Sequence, residues 1–178
     1  GTFSCLPKSY QKRFITECFR AANDYPKKVK RSTKQATKNS LFKEQKKNEK
    51  AKHRIVGLTL ETRPDYVDEK EIKNFRELGC TRVELGVQSV YDDVLLANKR
   101  GHSVETTIKA TKLLKDAGFK INYHMMPGLP GSNKRRDFVM FKALFTNPAF
   151  QPDMLKIYPT VVLKNSKLFE IWKKGLYK

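Results

Sequence analysis

Cysteine, long apolar stretches and acidic residues are all scarce in this sequence. Its 178 residues include only three cysteines, Cys5, Cys18 and Cys80, which lie far apart. This scarcity argues against a disulfide framework and is typical of a reducing compartment, so we expect a cytoplasmic protein. No run of about 18 apolar residues occurs, so we expect no contact with a membrane. The N-terminus also lacks the basic-then-apolar order of a secretion signal.

The shortage of acidic residues leaves the chain strongly basic. Against 37 Lys and Arg there are 18 Asp and Glu, which gives a net charge of +19. Residues 27–54 alone hold twelve Lys or Arg and only two Glu, and they read as a loop followed by a polar helix. A surface this basic favours polyanions, most commonly nucleic acid. The alternative is a general enrichment in lysine without a specific partner.

Apolar periodicity indicates an α/β fold. An amphipathic helix is expected over 10–22, and the later helices over 68–78, 90–97, 103–117 and 134–146. Strands are expected between these helices, over 54–61, 82–88, 119–126 and 153–158. Strands that alternate with helices of this length predict βα units and a parallel sheet. Gly79 and Ser103 are the expected end and start signals of two of the helices.

The predicted strands have one apolar face and one small or polar face, because alternate side chains point to opposite sides of a strand. Strands of an open parallel sheet are usually apolar on both faces, so the pattern favours a TIM-like barrel or partial barrel. A polar interior is costly without a polar guest, and Gly57 and Gly86 leave space on the same face. We therefore expect a bound ligand, although mutual hydrogen bonding inside a plain barrel stays open. The polar-face residues are Glu61, Glu84, Gln88, Asn122 and His124.

Two further features extend this face. The fourth predicted strand places Lys156 and Tyr158 on one side, which makes them candidates for the interior. The turn "MMPGLPGS" follows the third strand, and Gly128 and Gly131 allow its backbone to approach a ligand closely.

Four segments resemble the radical S-adenosylmethionine core of the elongator complex protein 3 family, a family of enzymes that modify the wobble uridine of tRNA. The resemblance covers almost the whole chain except residues 27–40. The segments, in chain order, are "LTLETRPD", "GCTRVELGVQSVYDDVLLANKRGH", "HMMPGLPG" and "NPAFQPDMLKIYPT".

The resemblance implies a radical-SAM-type partial barrel of parallel strands with outer helices, and it implies roles for particular residues. S-adenosylmethionine would be held by Glu61, Gln88 and Arg100, with the glycine turn at Gly128 and Gly131 on the adenine side. Arg100 offers a planar fork for the methionine carboxylate.

The same resemblance implies chemistry on tRNA: radical cleavage of S-adenosylmethionine, with acetyl-CoA as the carbon source, installs a carboxymethyl-type group at C5 of uridine 34. His124, Lys156 and Tyr158 are the candidates to position substrate or move protons. No DNA partner is expected, whereas other Elongator subunits are possible partners. Phosphate contacts are expected from Lys27, Lys28, Lys30, Arg31, Arg135 and Arg136.

The sequence departs from the family in one respect. The family binds a 4Fe–4S cluster through closely spaced cysteines, and no such group occurs here, so we expect no metal ligands in this chain. Residues 1–178 are therefore interpreted as a fragment of the radical core, with the cluster loop and the acetyltransferase domain absent, and inactive alone. Two alternatives remain: a tRNA-binding module without chemistry, and a TIM-barrel lyase or aldolase with Lys156 as a Schiff base.

Overall fold

The computed structural model describes residues 2–26 and 38–177, with the side chains of residues 38 and 39 excepted. The helices are α1 (Lys8–Asp24), α2 (Lys38–Asn48), α3 (Glu69–Leu78), α4 (Asp92–Ala97), α5 (Val104–Asp116), α6 (Lys134–Thr146) and α7 (Lys167–Lys173). The strands are β1 (Thr59–Thr62), β2 (Arg82–Gln88), β3 (Lys120–Met125) and β4 (Met154–Ile157). Within the described part of the chain, no helix is both long enough and apolar enough to cross a membrane.

The four strands form one parallel sheet in the order β1-β2-β3-β4. Each connection carries at least one helix, as a parallel sheet requires. This confirms the predicted α/β class with outer helices, and the strand order follows the chain order as in a (βα) barrel. In the described residues β4 is an edge strand that pairs only with β3.

The core lies between the sheet and its helices. Leu85, Ile121 and Tyr123 on the strands and Phe75 and Leu114 on the helices are fully buried there. Two sequence signals end and begin these helices as predicted. Gly79 takes a left-handed conformation (φ 82°) after α3, which glycine adopts without steric cost. Ser103 caps α5 by accepting a hydrogen bond from the Thr106 backbone N–H.

The first strand is shorter than predicted. Only Thr59–Thr62 pair with β2, and Val56, which the alternation places in the core, is 90% exposed. The cause is the turn from α3 into β2, which reaches the sheet edge at this point. The Leu58 carbonyl accepts hydrogen bonds from the backbone N–H groups of Thr81 and Arg82, so no strand lies beside residues 54–57.

Helix α2 docks the end of the basic segment onto α1. Its Leu41 is buried, and Glu44 accepts hydrogen bonds from Asn23 (2.9 Å) and Arg20 (3.4 Å) of α1. The helical part of residues 27–54 is thus a packed element with its lysines on the outside. It ends at Asn48 and does not continue to the first strand.

Candidate functional site

The sheet register brings the predicted polar residues together. Glu61 lies opposite Glu84, and Glu84 lies opposite Asn122 on the next strand. His124, two residues further along β3, lies opposite Lys156 of β4. These residues share the face of the sheet that points away from the helix-covered core, because they alternate with buried Leu85 and Tyr123.

Glu84 is the centre of a hydrogen-bond network on this face. Its Oε2 accepts hydrogen bonds from His124 Nε2 (2.9 Å) and Lys156 Nζ (2.8 Å), and its Oε1 accepts one from Asn122 Nδ2 (3.2 Å). Burial alone would raise the pKa of Glu84, but the hydrogen bonds from Lys156, His124 and Asn122 outweigh it and lower the pKa. The carboxylate is therefore charged at neutral pH.

Lys156 and Tyr158 lie on the solvent-open side of this network. The Lys156 side chain is 45% exposed, and its hydrogen bond to Glu84 raises its pKa, so it carries a positive charge. The Tyr158 ring packs at a tilt against the His124 ring, with centroids 5.2 Å apart, and the residue is 44% exposed. Both residues are on the polar face but not in an enclosed interior, because β4 is the edge strand.

Gln88 ends β2 in a conformation that is unusual for its residue type. Its φ of 69° is left-handed, a region that non-glycine residues adopt mostly where the surrounding structure requires it. Its side-chain Oε1 is buried and accepts no hydrogen bond from any residue that the structure describes. A Cβ added to Gly86 would lie 3.2 Å from Gln88 Nε2, so the glycine leaves room for this amide.

Arg100 and His102 lie beyond the same end of β2 with unused polar atoms. Arg100 Nε is buried and has no hydrogen-bond partner within residues 2–26 and 38–177, and burial, then the nearby Arg63 charge, lower the pKa of Arg100. No described residue forms a salt bridge with Arg100, whereas Arg63 is paired with Asp65. His102 Nε2 donates a hydrogen bond to the Val87 carbonyl (3.1 Å), because a carbonyl oxygen can only accept. Its Nδ1 is buried without a partner, and burial lowers its pKa.

The glycine turn is held firmly at the end of β3. Gly128 has a φ of 80°, its N–H donates to Asp137 Oδ2 (2.8 Å), and its carbonyl accepts from the Tyr177 hydroxyl (2.5 Å). Gly131 has a φ of 90° and faces Val94 and Ala97 of α4. The turn therefore follows the end of β3 and packs against α4, the helix that follows β2.

The predicted phosphate contacts differ in their surroundings. Arg135 is exposed. Arg136 makes two hydrogen bonds with the carboxylate of Asp93 (2.8 and 2.6 Å), donates to the Gly131 carbonyl and lies over the Tyr91 ring. It therefore supports the glycine turn. The other four, Lys27, Lys28, Lys30 and Arg31, lie outside the described residues.

The cysteines do not form a cluster site. Cys5 donates to the Thr2 carbonyl, and Cys80 is buried and donates to the Arg82 carbonyl. Burial raises the pKa of Cys80 to about 11, which disfavours the thiolate that iron requires. Cys18 is half-buried on α1. Among the described residues, Glu61, Glu84 and His124 form the group whose ligand atoms are close enough to hold a metal ion.

Glu84, Arg63 and His102 are parts of the site to which the sequence assigned no role. An acidic residue between the apolar Val83 and Leu85 is unusual in a strand and was the available sign for Glu84. Alternation alone does not show that three side chains donate hydrogen bonds to it. Arg63 and His102 follow strand ends, where ligand-binding residues of parallel βα folds cluster. An arginine or a histidine after a strand does not by itself indicate a binding site, so the sequence offered no reason to select Arg63 or His102.

This combination of a parallel βα sheet, a polar face and unused donors and acceptors at the strand ends is typical of a ligand-binding half barrel. The chain belongs to the radical SAM superfamily, whose profile matches residues 14–141. It is 53% identical over its full length to the "tRNA uridine(34) acetyltransferase" of Methanocaldococcus infernus and 41% identical to human "Elongator complex protein 3". The chain spans 31% and 30% of these relatives, so it corresponds to about a third of each.

Solved structures agree with this assignment. Elp3 of M. infernus with an N-terminal deletion superposes with a TM-score of 0.87 at 53% identity, covering all of this chain and 39% of that one. Coproporphyrinogen III oxidase of Escherichia coli, described as a radical SAM enzyme, superposes with a TM-score of 0.55 at 18% identity. It covers 71% of this chain and 29% of its own, a likeness in fold alone.

Membership in the superfamily implies S-adenosylmethionine and a 4Fe–4S cluster. The residues fit the first, because a buried guanidinium nitrogen of Arg100 and a buried amide oxygen of Gln88, neither with a partner among the described residues, lie beyond the same end of β2. They do not fit the second, because the three cysteines are dispersed and two of them already donate to carbonyls.

Proposed function

We propose that this chain forms the S-adenosylmethionine-binding half barrel of an enzyme that modifies the wobble uridine of tRNA with a carboxymethyl-type group. The main support for the proposal is that the full length of this chain is 53% identical to a protein called tRNA uridine(34) acetyltransferase. The unused polar atoms at the strand ends support it independently, since a buried donor or acceptor without a partner is costly unless a ligand satisfies it.

In this proposal, three side chains hold S-adenosylmethionine. Arg100 binds the methionine carboxylate, because it is a half-buried cation that pairs with no carboxylate among the described residues. Gln88 accepts from a ligand N–H or hydroxyl through Oε1, and Glu61, exposed at the end of β1, accepts from the ammonium or ribose. The turn at Gly128 and Gly131 borders the adenine.

Bound S-adenosylmethionine supplies a 5′-deoxyadenosyl radical when it is reductively cleaved. The residues of this chain would then hold and move protons near the reacting centre. His124, Lys156 and Tyr158 are the proposed catalytic residues. They line one network, in which a charged ammonium and an imidazole are fixed by a single carboxylate.

Ligands for the 4Fe–4S cluster and a site for acetyl-CoA are proposed to lie outside these 178 residues, so the chain alone is expected to be inactive. The absence of a cysteine group in this sequence supports the first part. Three free thiols are consistent with the expected cytoplasmic location. Other Elongator subunits remain proposed partners, on the names of the eukaryotic relatives.

The lyase or aldolase alternative is less well supported. A Schiff base requires a neutral lysine amine, whereas the carboxylate of Glu84 raises the pKa of Lys156 and keeps it protonated. The non-catalytic tRNA-binding module is favoured by the net charge of +19 and is compatible with the fold.

Turnover by the full-length protein that contains this chain separates these functions. With a reconstituted cluster and a reductant, we expect tRNA-dependent cleavage of S-adenosylmethionine to 5′-deoxyadenosine, and a modified base when acetyl-CoA is added. Binding of tRNA without any cleavage, under conditions where the cluster is spectroscopically intact, would instead support the binding module.

A salt titration tests the tRNA contacts. Replacing Lys27, Lys28, Lys30 and Arg31 with Ser should flatten the slope of log affinity against log salt by up to about three, because each phosphate contact adds about 0.7–0.9. The matched control removes four charges from the outer helices, Lys70, Lys73, Lys109 and Lys112, and should leave the slope unchanged. Equal slopes for both variants and the parent would place the tRNA path elsewhere.

A further inference from the structure

Glu84 is not one of the residues proposed to bind S-adenosylmethionine or to react. It nevertheless accepts hydrogen bonds from three side chains on the polar face. It is 9% exposed, and both of its oxygens accept hydrogen bonds from neighbouring strands. Two of its partners, His124 and Lys156, are proposed catalytic residues. A carboxylate in this position determines how those two groups are presented.

The key contact is the one to the imidazole. A carboxylate only accepts hydrogen bonds when ionised, so the nitrogen of His124 that faces it must carry a proton. That nitrogen is Nε2, 2.9 Å from Glu84 Oε2. Nδ1 makes no hydrogen bond with any residue in the described part of the chain. In the neutral ring, Nδ1 is then the nitrogen with a free lone pair.

We propose that Glu84 is a positioning residue that fixes His124 in the Nε2–H tautomer and so makes Nδ1 the nitrogen that exchanges protons with a ligand. The tautomer follows from the hydrogen bond alone. Only the consequence for catalysis rests on the proposed function. This arrangement resembles in logic the carboxylate that orients an imidazole in other enzymes, where the partner on one ring nitrogen decides the role of the other.

The charge of Glu84 makes the arrangement persistent. Its pKa is lowered by Lys156, His124 and Asn122 despite burial, so it remains an acceptor throughout the neutral range. The groups around His124 are Glu84, the Tyr158 ring, Lys156, which lies opposite it on β4, and Glu61 of β1, whose carboxylate lies within 4.8 Å of the ligand atoms of Glu84 and His124. None of the other described groups competes for Nε2.

Nitrogen-15 NMR on the histidine-labelled full-length protein tests the tautomer directly, with His124→Asn identifying the resonances. At a pH where the ring is neutral, we expect Nε2 to give the shift of a protonated nitrogen and Nδ1 that of an unprotonated one, with at least nine-tenths of the population in this form. A ring that is mainly Nδ1–H in the wild-type protein overturns the proposal without any variant being needed.

Two matched variants then assign the effect to Glu84. Glu84→Gln keeps an acceptor oxygen and should keep the tautomer, whereas Glu84→Met removes both oxygens and should mix the two forms. Lys156→Met is the control, because it removes the other donor on Oε2 and should leave the ring unchanged. An unmixed ring in a folded Glu84→Met variant would contradict the role of Glu84.

Activity gives a separate readout. If Glu84 acts through His124, cleavage by the Glu84→Met/His124→Asn double variant should be no slower than by His124→Asn alone. Losses that multiply would mean that Glu84 acts on cleavage by a route other than His124, through Lys156 or directly, and would overturn the catalytic part of the proposal. If the full-length protein shows no radical chemistry, the proposed function is wrong. The NMR measurement still tests the tautomer of His124 independently of that result.

Discussion

The helix-covered face of the sheet carries Leu85, Ile121 and Tyr123, which are fully buried, and the only polar group among them, the Tyr123 hydroxyl, is hydrogen-bonded to Thr111. The opposite face and its strand ends carry a charged network and buried atoms without partners, such as Gln88 Oε1 and Asn122 Oδ1. Side chains on one strand thus serve two purposes in alternation. One face stabilises the fold, whereas the other retains buried polar atoms that have no partner among the described residues.

The largest expected effect is a loss of stability caused by a substitution on the helix-covered face. Leu85→Ala should lower the free energy of unfolding by about 3 kcal/mol, because it removes a side chain with no exposed surface and leaves a cavity. The control is Leu96→Ala, whose side chain is 81% exposed, and a change within about 0.5 kcal/mol is expected. Urea denaturation followed by circular dichroism measures both. Equal losses would mean that burial does not distinguish these two leucines.

The next effect concerns the strand ends, where stability and binding should separate. Arg100→Ala should weaken S-adenosylmethionine binding by about 2–4 kcal/mol, as expected when a charge-assisted pair loses one partner. Its stability should change little, since Arg100 has no ionic partner among the described residues. Calorimetry on the full-length protein measures the affinity. Wild-type affinity would remove Arg100 from the site.

These two predictions concern features that differ in how well the sequence could reveal them. Alternation in β2 and β3 correctly predicted the polar face, because a period of two follows directly from strand geometry. It failed at Val56, since the length of β1 depends on the turn after α3. The sequence left mutual hydrogen bonding of the polar-face residues open, but it did not predict the particular pairs around Glu84, because these depend on the register of three strands. Helix α7 escaped prediction because seven residues give too weak a periodic signal.

A smaller effect on stability is expected from a substitution in the charged network around Glu84. Glu84→Gln should cost about 1.5 kcal/mol at neutral pH, the typical contribution of a hydrogen bond to a charged group. Because the pKa of Glu84 is lowered in the folded state, its contribution is present above the usual pKa of 4.5 and is lost as the pH falls below it. The difference in unfolding free energy between wild type and variant should therefore shrink from pH 6 to pH 3. A constant difference would mean that Glu84 is not linked to folding.

The central claim is that the polar face is built around S-adenosylmethionine, and the smallest change tests it most directly. Gly86→Ala places a Cβ 3.2 Å from Gln88 Nε2, so the amide must shift by a few tenths of an ångström, while Gly57→Ala meets only Thr81 Oγ1 at 3.7 Å. Calorimetric titration of the full-length proteins with S-adenosylhomocysteine should show roughly fivefold weaker binding, about 1 kcal/mol, for Gly86→Ala. The affinity of Gly57→Ala should equal that of the wild type. Unchanged affinity in Gly86→Ala would contradict the claim that this face holds the ligand.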